Sequence, residues 1–152
     1  MLQCPPAPRL RTIPLPSMTK SSITHDIHAV LASGELVYDS DDHEASFTGP
    51  GLNSYTLQAA AMQPMSSYVL LHVRTSGHTP HFVSIHVRSV DAEHSVTVLD
   101  ILSNIRGALQ QTLSQSLRCS YCSRGVALDR RWKIEVKCVG HLDELEAIAY
   151  PL

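Results

Sequence analysis

The sequence predicts an α+β domain. An antiparallel sheet, made of a hairpin over 68–88 and a strand over 132–138, packs on one long helix at about 98–118, with short helices flanking it. Three patterns carry that expectation. Two β-branched runs face each other across a loop holding glycine and proline. One stretch repeats apolar residues every three to four positions, and one late stretch alternates between apolar and charged side chains.

The hairpin arms are Tyr68–Arg74 and Phe82–Arg88, joined by Thr75-Ser76-Gly77-His78-Thr79-Pro80-His81. Alternation puts Val69, Leu71, Val73, Val83, Ile85 and Val87 on one face, all aliphatic and so a core face. The other face carries Tyr68, Leu70, His72, Arg74, Phe82, Ser84, His86 and Arg88, with His-Val-Arg occurring once in each arm.

Thr97 is placed to cap the long helix, with Asp100 three residues on as a shortened capping box. Leu102, Ile105, Leu109, Leu113 and Leu117 then form its apolar stripe, while Asn104, Gln110, Gln111, Ser114 and Gln115 make a neutral outer side. In the third strand Trp132, Ile134, Val136 and Cys138 point inward and Lys133, Glu135 and Lys137 outward. Lesser elements follow from local signals. Thr24 starts a short helix through His25–Ala32 that Gly34 stops, Glu35–Tyr38 is a strand, and Leu52–Met62 is a helix ended by Pro64. The acidic run from Asp39 to Glu44 is a loop without EF-hand spacing, and His141–Ala149 is a terminal helix or turn.

With 152 residues, 43% of them hydrophobic and 17% charged, the chain has room for one core. Residues 1–20 hold five prolines and read as a disordered tail, leaving 21–152 as the single domain. The net charge of −2 argues against nucleic acid as a partner. No run reaches the roughly 18–20 apolar residues of a membrane span, and prolines interrupt any secretory h-region. The expected compartment is therefore cytoplasmic or nuclear, with Cys4, Cys119, Cys122 and Cys138 reduced.

The order of these elements resembles a family of small uncharacterised fungal domains, found mainly in basidiomycetes and without assigned function. The likeness rests on Ile27–Tyr38 followed by Asp39, on Leu57-Gln58-Ala59-Ala60-Ala61-Met62-Gln63-Pro64, and on Ser95-Val96-Thr97-Val98-Leu99-Asp100-Ile101-Leu102. It closes on Asp143, Leu145, Tyr150 and Leu152 and spans about residues 25–152. The chain departs from the family pattern in the cysteine-containing turn after the long helix and in the Arg130–Cys138 run. The resemblance implies a fold and no mechanism.

Two clusters could carry chemistry. Cys119-x2-Cys122 with Cys138-x2-His141 has the ligand spacing of a tetrahedral zinc site, although Cys138 also continues the inward phase of its strand. Tyr68, His72, Arg74, Phe82, His86 and Arg88 form a mixed aromatic and basic face that suits carboxylate or phosphate. His78-x2-His81 is a lesser metal candidate without a third ligand. No nucleophile elbow, P-loop, dinucleotide fingerprint or zinc-protease helix occurs. The leading expectation is a non-enzymatic interaction domain, with no cofactor, that binds a protein partner or a second copy of itself. The alternatives are a zinc-stabilised domain using the Cys3His set, and an enzyme or small-molecule carrier with a pocket between sheet and long helix.

Overall fold

The computed structural model describes residues 25–40, 47–77, 80–91, 93–118, 130–140 and 143–152. In chain order the elements are β1 (Asp26–Ile27), α1 (Ala29–Ala32), β2 (Leu36–Asp39), β3 (Phe47–Thr48), α2 (Ser54–Gln58), β4 (Met62–Gln63), β5 (Tyr68–Thr75), β6 (Phe82–Arg88), α3 (Val98–Arg118), β7 (Arg131–Cys138) and β8 (Glu144–Pro151). This is the expected α+β class.

Six strands form one sheet in the order β3-β2-β7-β8-β5-β6, and β1 pairs with β4 in a separate ribbon. The hairpin has the register read from the alternation, with Val69 opposite Val87, Leu71 opposite Ile85 and Val73 opposite Val83. The third strand is also where expected, but it does not pair with the hairpin. β8 lies between them, antiparallel to β7 and parallel to β5, so the sheet is mixed rather than antiparallel.

That strand replaces the helix or turn expected over His141–Ala149. Leu145, Ala147 and Ala149 point into the core while Glu144, Glu146, Ile148 and Tyr150 alternate with them on the other face, where Ile148 is also buried; the residues follow the period of two that a strand requires. Two other helices are shorter than expected. Only Ala29–Ala32 is helical in the first, capped by the His28 ring, and Asp26 and Ile27 of the stretch expected to be helical form β1. Gly34, at φ +66°, ends that turn as expected. The second spans Ser54–Gln58, because Asn53 and Thr56 form a reciprocal cap and Ala59 is already extended.

One layer of helix covers one face of the sheet. Val98, Ile101, Leu102, Ile105, Ala108 and Leu109 of α3 are buried with Val69, Leu71, Val73 and Val87, and α1 packs near β7. Trp132, Ile134 and Val136 complete the same core with Leu36 and Tyr38. The Asp100 carboxylate accepts from the Thr97 N–H (2.9 Å) and hydroxyl (2.8 Å), and the Asp100 N–H donates to Thr97 Oγ1 (3.2 Å). Removing this two-way cap with Asp100→Ala should destabilise the domain by about 1 kcal/mol, read as a lower urea midpoint at unchanged m-value.

Candidate functional site

No described element covers the second face of the sheet. Strand alternation delivers to it Tyr68, Leu70, His72 and Arg74 from β5 and Phe82, Ser84, His86 and Arg88 from β6. The six residues picked from the sequence thus lie together on one uncovered surface. The structure adds partners from the neighbouring strands, and these divide the six into two groups.

His72 and Arg74 are engaged by β8. His72 Nε2 meets Glu144 Oε1 at 2.5 Å, and its Nδ1 meets Ser84 Oγ at 2.7 Å. Arg74 donates to Glu146 Oε1 and Lys137 to Glu146 Oε2, each at 3.2 Å. Glu146 retains 17% side-chain exposure, so it is a shared anchor between two cations that keep 50% and 58% of theirs. Phe82 stacks on the His72 ring with centroids 5.5 Å apart and planes at 16°.

His86 and Arg88 have a different environment. The Tyr68 hydroxyl is hydrogen-bonded to His86 Nδ1, and the two rings lie 5.7 Å apart. Arg88 sits opposite Tyr68 in the register and forms no ion pair with a described residue. Neither β5 nor β6 contains an acidic residue, and the acids that pair with His72 and Arg74 come from β8, which adjoins β5 but not β6. Compensation stops one strand short of the edge.

Glu144 and Glu146 escaped the sequence reading of this face, and Ser84, which that reading placed on the face, was not counted among the site residues. The two glutamates carried a signal, since they alternate with Leu145 and Ala147, but small alanines made the pattern faint. Glu144, His72 and Ser84 form a carboxylate–imidazole–hydroxyl chain, so the structure supplies the hydroxyl that a general base at His72 would need. Ser84 is nevertheless exposed on an open strand face, with no wall to exclude water from a reacting centre.

A cleft of about 140 Å³ does lie between α3 and the hairpin, lined in part by Val73, Thr75, Phe82, Ala108 and Gln111. His28, His72 and His86 do not line it, and His28 is occupied in capping α1, accepting from the Val30 N–H at 3.3 Å. Of the zinc candidates, Cys119, Cys122 and His141 lie outside the described residues, as does His78 of the lesser pair. Cys138 is half-buried and its thiol donates to the His25 carbonyl at 3.4 Å. Burial pushes that thiol up from its ordinary range, and the Asp26 carboxylate adds to the rise. Among the described residues no three His, Cys, Asp or Glu side chains gather as a metal-binding group.

No helix among the described residues is long and apolar enough to cross a membrane. Comparison with protein-family models, with curated proteins and with solved structures returns no match.

Proposed function

We propose that this is a non-enzymatic binding domain that docks an acidic or phosphorylated segment on the β5–β6 side of its open sheet face. One observation carries the reading. Glu144 and Glu146 compensate His72 and Arg74, whereas His86 and Arg88 on β6 have no acid beside them among the described residues. A guanidinium held on a rigid strand next to Tyr68 and His86 offers a planar fork for carboxylate or phosphate. Tyr68 supplies apolar contact beside Arg88, and the 63%-exposed Phe82 supplies it at the other end of the strand pair.

The test is binding of a fluorescein-labelled phosphoserine peptide with flanking acids, followed by fluorescence anisotropy at low salt. Arg88→Glu should weaken binding about tenfold or more, the size expected for one charge-assisted pair. Lys133→Glu, on the same face but over β7, should change it less than about twofold. Equal losses at the two positions would reduce the effect to general charge and remove the β5–β6 site. An affinity untouched by Arg88→Glu would remove it as well.

A further inference from the structure

The two ends of the large sheet are finished in different ways. β3, at one end, is two residues long, and very short edge strands are a common protection against pairing with other chains. β6, at the other end, runs seven residues as Phe-Val-Ser-Ile-His-Val-Arg. It holds no proline, glycine, lysine or acid, and no described strand pairs with its far side. Among the described residues, Arg88 at its end is the one charge on this edge, and no strand covers it.

The hydrogen-bond phase of this edge follows from the hairpin. The Thr75 N–H donates to the His81 carbonyl, and the Ser89 N–H to the Ser67 carbonyl. Odd-numbered residues of β6 therefore bond to β5. The alternation of an antiparallel ladder turns the N–H and C=O groups of Phe82, Ser84, His86 and Arg88 outward. Val83 and Ile85, on the helix-covered face, are only half-buried, as side chains at an unfinished edge of a core would be.

The geometry points to a second copy of this chain as the occupant, with β6 pairing antiparallel to β6 of its partner about a two-fold axis at Ile85. In that register Ser84 faces the partner's His86 and Phe82 faces the partner's Arg88, giving about eight backbone hydrogen bonds. Ile85 then meets its own copy and Val83 meets the partner's Val87, which extends the apolar layer without a break. On the open face each Arg88 lies across from a phenyl ring rather than another cation. Shifting the axis to Ser84 or to His86 would set identical polar side chains against each other at the centre. The pairing at Ile85 avoids this, and an isologous contact requires such self-complementarity. The neutral residues Gln110, Gln111, Ser114 and Gln115 on the exposed side of α3 add no charge that would repel a copy. The result is one continuous sheet of twelve strands, twice the six in each chain.

Light scattering on the full chain should give twice the 16.7 kDa chain mass across the micromolar range. Ser84→Pro, which removes an outward N–H and leaves the ladder to β5 intact, should return it to one chain mass. The register is tested without relying on a disruptive variant. Ile85→Cys puts two thiols in a non-hydrogen-bonded cross-strand pair, close enough to bridge on mild oxidation. Non-reducing peptide mapping should then find a disulfide joining position 85 of two chains. A single chain mass for the natural sequence would overturn the inference. So would a dimer that survives Ser84→Pro with its fold intact, or one that forms no bridge at position 85.

Discussion

Ala147→Asp should abolish cooperative folding, whereas Glu146→Gln one residue earlier should cost under about 1 kcal/mol. Ala147 is 1% exposed in the central strand β8, between Val73 of β5 and Val136 of β7. A carboxylate there would be desolvated with no partner, a penalty of several kcal/mol at least. A domain this size is stable by only about 5–15 kcal/mol in total. Glu146 lies on the opposite face, and the two cations it holds are half-exposed, so its loss forfeits only surface ion pairs. Circular dichroism with urea titration reads both. Comparable effects at the two adjacent positions would contradict the alternation that defines β8.

Ile105→Ala in α3 should destabilise by about 2–5 kcal/mol, and Gly107→Ala in the same helix should stabilise by about 0.5–1 kcal/mol. Ile105 is fully buried against the sheet, and truncation leaves a cavity that the surrounding β-branched side chains fill poorly. Gly107 faces solvent, with nothing within 4 Å of where a Cβ would stand. An added methyl there meets no obstacle and lowers the entropy of the unfolded chain. Thermal melts of the two variants should move in opposite directions. A fall in melting temperature for Gly107→Ala would mean that this helix face is occupied in solution.

The elements legible in the sequence are those whose alternation or periodicity is written in large aliphatic residues. The hairpin and α3 place valine, isoleucine or leucine at nearly every inward position, and β7 sets Trp132, Ile134 and Val136 against charged neighbours. β8 obeys the same rule with Leu145, Ala147 and Ala149. Alanine at two of those three positions also suits a helix, and the two glutamates strengthen that misreading. The error had a functional cost. With β8 assigned to a helix, Glu144 and Glu146 could not be recognised as partners of His72 and Arg74. All four basic residues then looked equally free. The shorter helices failed for a local reason, since Asn53 caps within the stretch expected to be helical and Ala59 leaves it in an extended conformation. The surface itself was legible because residue identity and strand phase were sufficient to define it.

The position of β8 also sets the order in which this fold can form. It follows the other described strands in sequence, yet it occupies the centre of the sheet between β7 and β5. Its contact with β5 joins Leu70 to Glu144, a separation of 144 − 70 = 74 residues. The β5–β6 hairpin can zip locally, and β2 can find β7, but neither piece is joined to the other until the final segment inserts. Until then β5 and β7 each expose a ladder, so a folding chain presents more open edges than the finished one. Closure is a single late, long-range event, and refolding should be slow for the chain's length.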